Sequence, residues 1–346
     1  MSTVSRTALA RRRITVAAAA LAFAVSLSAC GGGDGGGDGG VGGAGDQDAS
    51  GTGTAPDTGK GGDTHSVKTV MGEVKIAHAP ERVVVLDTDA LDSAVTLGVT
   101  PVGATSAVAK APFSTYLPAD RLKDIKPVGL IAEPNLEAIA ALKPDLILSS
   151  KVRDEKNYAS LSKIAPTVFT DTTGPTWREN FQLHADALGR TNEAAAVVAD
   201  YEAHVKRLTE TLGGAAKAKE TKVGFVRFVE GADTRLYLND TFVGSLLKDL
   251  QVGRPANQDT TGFSLDVSPE QIDKADADVI FHSTYGDPEK AKETDTVGGP
   301  LWKNLDAVKK NMAFEVDDNL WMLGIGYTGA GQILDAMEKS FASAAR

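Results

Sequence analysis

Five histidines are scattered along the chain and a single cysteine stands at position 30. There is no cysteine pair, no His-Glu-x-x-His helix, no Gly-x-Ser-x-Gly turn and no phosphate-cradling glycine loop. Without a nucleophile–base pair or a metal-ligand set, the chain reads as a binder rather than an enzyme. The side chains that could recognise something are donors and flat rings. Arg153 follows the apolar run Leu146-Ile147-Leu148, and Arg227 interrupts another, Val223 to Phe228. A guanidinium offers several N–H donors in a planar fork suited to anionic oxygens. An arginine inside a buried strand is costly without a partner, so Arg227 faces either a ligand or an internal carboxylate. Arg153 is either a ligand contact or a solvated loop residue. Trp177, Phe242, Tyr285 and Trp321 offer apolar area with, in three cases, a polar edge, and each is equally readable as packing. His282 with Tyr285 is the one pair that suggests a haem or bare-metal ligand set.

These residues need elements to position them. Val83-Val84-Val85-Leu86 is a continuous apolar run, expected of a strand buried on both faces, and it ends at the helix-capping Asp87-Thr88-Asp89. A helix to Leu97, a strand from Pro101, a strand Leu146–Ser150 and another at Thr167–Phe169 follow. Strands alternating with helices imply a mostly parallel sheet, whose ligands sit beyond the strands' carboxyl ends. That rule places Asp87, Thr88, Lys151 and Arg153 at a candidate cleft. A second set of strands is expected at Lys222–Phe228, Arg235–Leu238, Val279–His282 and Ala313–Val316. Between the sets, Trp177 to Leu188 reads as a helix broken at Gly189. From Asn192 to Leu212, Ala194, Val198, Tyr201, Val205, Leu208 and Leu212 make one apolar stripe. Such a helix is about 31 Å long, enough to cross a lobe.

The two halves share a phrase. Leu136-Glu137-Ala138-Ile139 leads to Asp145-Leu146-Ile147-Leu148, and Pro269-Glu270-Gln271-Ile272 leads to Asp278-Val279-Ile280-Phe281. In both, the glutamate precedes the aspartate by eight residues. A repeat of this size indicates two related lobes rather than a short-period solenoid.

The 346 residues carry a net charge of −10, and the first 29 hold four arginines and no acid. The remainder is more acidic still, which argues against a nucleic-acid partner. Arg11-Arg12-Arg13, the apolar run Ile14–Val25 and Leu27-Ser28-Ala29-Cys30 have the layout of a secretory signal too short to span a membrane. Leu27–Cys30 also resembles the bacterial lipobox, in which the cysteine is lipidated. From Gly31 to Gly62, 16 of 32 residues are glycine, which makes a flexible tether with a reach of about 30 Å.

Three stretches, Glu81-Arg82-Val83-Val84-Val85-Leu86-Asp87, Leu97-Gly98-Val99 with Pro101-Val102-Gly103, and Leu136 to Ile147, resemble the iron-siderophore and cobalamin binding proteins of ABC importers. Ser149–Arg153 with Leu161–Thr167 narrows the resemblance to the ferric-siderophore branch, over roughly residues 67–340. The resemblance implies an α/β fold of two similar lobes with mostly parallel sheets, joined by one long helix, with the ligand in the cleft between them. The expected organisation is a signal at 1–29, the lipidated Cys30 and tether at 30–66, a first lobe at 67–173, bridging helices at 174–213 and a second lobe at 214–346. It implies a membrane-anchored, monomeric, extracytoplasmic protein that hands a ferric siderophore to an ABC permease. Iron is chelated by the siderophore, so no directly bound cofactor or metal is expected. Arg153, Arg227, Lys151, Thr88, Trp177, Phe242, Tyr285 and Trp321 are the expected ligand contacts, for a hydroxamate or citrate-hydroxamate complex. Glu137 and Glu270, whose family counterparts pair with permease arginines, are the expected docking residues. Haem or cobalamin on the same scaffold, and an anchored enzyme or structural lipoprotein, are the alternatives.

Overall fold

The computed structural model describes residues 63–108 and 113–344. The expected signal, Cys30 and the tether up to residue 62 lie outside the described residues. The tether's last residues do not: β1 (Thr64–Thr69) already includes 64–66 and pairs antiparallel with β2 (Gly72–Ala77). The hairpin turns at Gly72, whose φ of 111° suits glycine, and the Thr69 hydroxyl donates to the Gly72 carbonyl at 2.8 Å. Val67 and Ile76 are its buried residues.

The first lobe holds a six-stranded sheet. Its strands are β3 (Val83–Val85), β4 (Gly103–Ser106), β5 (Lys126–Leu130), β6 (Glu133–Pro134), β7 (Leu146–Ser150) and β8 (Thr167–Thr170), in the order β6-β5-β4-β3-β7-β8. Every pairing is parallel except β5 with β6. Central strands β3 and β7 are buried along their whole length. This is why their sequences run apolar without alternation. The helix α1 (Thr88–Thr96) follows β3, capped by the Asp87 carboxylate on the Thr88 N–H. It is buried from Thr88 to Val95, although Asp89 and Asp92 lie within it. The helix α2 (Leu136–Ala141), capped by Asn135, feeds β7.

The second lobe holds a sheet of β9 (Val223–Val229), β10 (Thr234–Tyr237), β11 (Ser264–Val267), β12 (Val279–Tyr285) and β13 (Ala313–Glu315), ordered β11-β10-β9-β12-β13. It is more mixed than expected. β12 runs parallel to β9 and β13, whereas β10 runs antiparallel to both β9 and β11. The short loop from Val229 to Thr234 leaves no room for a crossover helix, so β10 must return antiparallel. The Glu270 segment is a 3₁₀ turn, Pro269–Ala275, ahead of β12.

The bridge consists of α3 (Trp177–Ala187) and α4 (Thr191–Thr211). Tyr201 on α4 donates to the Asp249 carboxylate at 2.6 Å, at the end of α5 (Phe242–Asp249) in the second lobe. Arg178 on α3 pairs with the same carboxylate and covers the Trp177 ring at 4.2 Å. The last two helices are α6 (Asp318–Leu323) and α7 (Tyr327–Ala344). The latter returns to the first lobe, where Asp92 accepts the N–H groups of Thr328 and Gly329 at 3.3 and 3.1 Å. A carboxylate at a helix N-terminus is held by both its unpaired donors and its dipole. A Cβ at Gly326 would collide with Asp92, so this approach requires glycine. One apolar cluster runs from Val83 and Leu148 through Trp177, Phe181 and Tyr201 to Phe225, Phe281 and Trp321. The lobes share this core, so parting them would expose it. Among the described residues no helix is long and apolar enough to cross a membrane.

Candidate functional site

A cleft of about 490 Å³ opens between the lobes. The first lobe supplies Val152, Arg153 and the turn Thr172–Pro175. The second supplies Arg227, Tyr237, Asp240–Val243, Phe263, and the stretch Trp321–Leu323 with Ile325. Arginine thus lines the cleft from both sides.

Arg153 is placed by β7, which ends at Ser150 and passes directly into the short helix Lys151–Asp154. Its Nε donates to Asp87 Oδ2 at 3.2 Å, and the side chain is 39% exposed. Asp87 is held in turn by the Ser150 hydroxyl at 2.9 Å and the Thr88 N–H at 2.8 Å. Burial raises the Asp87 carboxyl to about 6, with a further push from Asp89, against the lowering influence of Arg153 and these hydrogen bonds. No partner is present among the described residues for the terminal nitrogens of Arg153.

Arg227 answers the sequence's dilemma with a carboxylate. Its Nε and Nη2 donate to Asp318 at 2.7 and 2.6 Å, a bidentate pair, and Nη1 donates to the Tyr237 hydroxyl at 3.3 Å. Ser283 adds a hydrogen bond to Asp318 at 2.8 Å. Burial disfavours the Arg227 charge, but the Asp318 bonds outweigh it and its pKa is raised. The guanidinium also lies 5.1 Å from the Tyr285 ring centroid. Both arginines are therefore fixed in place, with much of their charge already matched.

The other expected contacts divide. Phe242 and Trp321 line the cleft, although Trp321 is only 1% exposed and forms floor rather than wall. It stacks on Phe225 with centroids 5.4 Å apart. Tyr285 flanks Arg227 at the cleft edge and is exposed. Lys151 sits on a shallower depression that shares Arg153 with the cleft, 3.7 Å from Glu155. Thr88 is buried in the first turn of α1 and does not line the cleft. Trp177 is a core residue: it lies edge-on to Tyr201, Phe242 and Tyr327, and its Nε1 donates to Ser245 at 2.9 Å. It is a packing centre of the bridge and does not line the cleft.

The pair His282 and Tyr285 comes apart. Residues three apart on a strand face opposite ways. Tyr285 turns to Arg227, whereas His282 lies edge-on to Trp302 and Phe228. Burial lowers the His282 pKa to about 4. It is a neutral core histidine outside the cleft, and the haem or metal set offered by the sequence is not assembled.

Sequence reasoning missed Thr172, Thr173, Tyr237, Asp240, Phe263 and Met322 among the lining residues. Tyr237 ends β10, which runs antiparallel to β9, so the rule for the carboxyl ends of parallel strands does not point to it. Met322 lies on α6 and the others on connections, where nothing in the local pattern marks them as lining residues.

Glu137, on α2 ahead of β7, and Glu270, on the 3₁₀ turn ahead of β12, are both exposed and away from the cleft lining. Hydrogen bonding from Ser268 lowers the Glu270 carboxyl.

Comparison with known proteins gives a consistent result. The family model for periplasmic binding proteins matches residues 83–320. The probable siderophore-binding lipoprotein YfiY of Bacillus subtilis is 40% identical over 292 residues, covering 80% of this chain and 88% of its own. The Fe(3+)-citrate-binding protein YfmC of the same organism is 31% identical over 263 residues, covering 75% and 80%. The crystal structure of Staphylococcus aureus SirA complexed with staphyloferrin B superposes with a TM-score of 0.72 at 36% identity, covering 81% of this chain and 99% of that one. With two α/β lobes, a bridging helix and an arginine-flanked cleft, the chain belongs to the periplasmic binding protein family.

Proposed function

We propose that the protein captures a ferric siderophore in the inter-lobe cleft and delivers it to an ABC permease for iron uptake. The carrying observation is one guanidinium from each lobe, each fixed by a carboxylate, over an aromatic floor. A ferric siderophore brings its iron already chelated, so the protein needs donors and shape rather than metal ligands. Immobilised guanidiniums supply N–H donors to ligand oxygens without a fresh ordering cost. The apolar area of Phe263, Val152 and Leu323, above the buried Phe242 and Trp321 rings, fits the organic shell of the complex. The mixture favours hydroxamate or citrate-hydroxamate ligands. Similarity to siderophore-binding relatives supports the same reading.

The domain is read as a monomer held outside the membrane by a lipid on Cys30, with residues 31–62 as tether. Glu137 and Glu270 are read as the permease contacts, one per lobe. Chemistry on the ligand is not part of the proposal, because the cleft presents donors and rings rather than a nucleophile with its base.

Tryptophan fluorescence tests the binding step, since Trp321 forms the cleft floor. Saturable quenching by a ferric siderophore, and weaker quenching by its iron-free form, is the expected result. No saturable quenching across hydroxamate, citrate-hydroxamate and catecholate ferric complexes would sink the reading.

A further inference from the structure

The cleft's arginines are matched charges. Arg153 has Asp87 behind it and Arg227 has Asp318. A third carboxylate, Asp240, is exposed on the cleft wall. It accepts the Gly262 N–H at 2.7 Å, and no basic side chain pairs with it among the described residues. In the adjoining depression Lys151 and Lys156 are accompanied by Glu155 and Asp171. Cleft and rim together therefore carry no positive excess.

Ferric siderophores differ sharply in charge. Three hydroxamates, each giving up one proton, neutralise Fe³⁺, and two hydroxamates with a citrate-type group leave a single negative charge. Three catecholates each give up two protons and leave a trianion. In a partly desolvated cleft, a trianion beside an unpaired carboxylate meets repulsion that two neutralised arginines do not offset. A complex of low charge escapes that cost and still uses the arginine donors, with Val152, Phe242, Phe263 and Leu323 covering its organic shell.

We propose that the cleft selects ferric complexes of low net charge, neutral or singly negative, over trianionic tris-catecholates, and that Asp240 is a specificity-determining residue. The inference rests on the cleft being the siderophore site.

The test measures affinities of a ferric tris-hydroxamate, a ferric citrate-dihydroxamate and a ferric tris-catecholate for the full chain and for Asp240→Asn. The amide oxygen of the variant can still accept from Gly262, so the loop is kept. The low-charge complexes are expected to bind at least about tenfold tighter than the trianion. The variant is expected to shift that ratio roughly tenfold toward the trianion, less at high salt. Equal or tighter binding of the tris-catecholate, or an unchanged ratio in Asp240→Asn, overturns the inference while leaving siderophore capture standing. No binding by any of the three overturns the underlying reading as well.

Discussion

Asp145 and Asp278 make the same bond in the two lobes. Asp145, just ahead of β7, accepts the backbone N–H groups of Glu81 and Arg82 at 2.8 and 2.9 Å, where the chain enters β3. Asp278, just ahead of β12, accepts the N–H of Lys222 at 2.8 Å, where the chain enters β9. In each lobe the two strands so joined are parallel neighbours, with Val83 opposite Leu146 and Val223 opposite Val279. The repeated aspartate thus pins the entry of one strand to the entry of the next and sets their register.

Because these donors are near the surface, water can replace the lost acceptor. Asp145→Ala and Asp278→Ala are each expected to cost about 1.5 kcal/mol, the low end for a charged hydrogen bond. Urea denaturation measures this. A loss of several kcal/mol would show that register itself fails without the aspartate.

The two cleft arginines should separate in their effects. Arg153→Ala removes a half-exposed side chain and is expected to weaken ferric-siderophore binding by roughly 1–3 kcal/mol, with the smaller loss of stability because the Ser150 hydroxyl and the Thr88 N–H still hold the buried Asp87 carboxylate. Arg227→Ala leaves Asp318 without its partner in a mostly buried place, so roughly 2–4 kcal/mol of stability should go with the affinity. Arg227→Ala with Asp318→Asn should regain stability without regaining affinity. Thermal melts beside the fluorescence titration measure both. Unchanged affinity in both single variants would remove the arginines from the site.

What the sequence could show follows from how each feature is encoded. The strands β3 and β7 are readable because both faces are buried and every residue is apolar. The hairpin β1–β2 was hidden, because Thr64–Thr69 buries only Val67 completely and otherwise reads like the tether before it. Arg227 was marked by the cost of a charge in an apolar strand, whereas its partner Asp318 lies 91 residues away, where local pattern carries no information. Trp177 misled because a tryptophan looks the same in sequence whether it faces a ligand or, as here, packs between helices. Thr172 meets Asp240 and Phe263 only through the packing of the lobes.

Acid should change stability through two opposed sets of groups. Burial raises Asp87, Asp89 and Asp92 from an ordinary 3.8 to about 6. The folded chain therefore takes up these protons first, and stability grows as pH falls from about 6 towards 4. Burial lowers His184 and His282 from 6.5 to about 4. There the unfolded chain takes up protons first, and stability is lost as pH falls from 6.5. The Tm of the wild type is accordingly expected to change little between pH 7 and 5. His282→Leu removes one acid-sensitive group, so its Tm relative to wild type should rise as pH falls, whatever the difference at pH 7. A difference that stays constant over that range would show that His282 does not resist protonation in the fold.

Glu137 and Glu270 stand outside the cleft, exposed, at matching places ahead of β7 and β12. The aspartate eight residues after each does structural work in its lobe, and no basic side chain of the chain forms an ion pair with either glutamate among the described residues. Two surface carboxylates, one per lobe, are what two permease halves carrying basic groups would meet in the proposed complex. Surface substitutions remote from packing cost little stability, so Glu137→Ala with Glu270→Ala should leave the melt and the ferric-siderophore affinity as they are. Uptake of iron-loaded siderophore by cells, in contrast, should fall by at least about tenfold, given two charge pairs lost from one interface. A charge-reversed permease should rescue Glu137→Arg with Glu270→Arg if pairing is direct. Normal uptake by the double alanine variant, or loss of ligand affinity in it, would show that the paired glutamates are not the docking contacts.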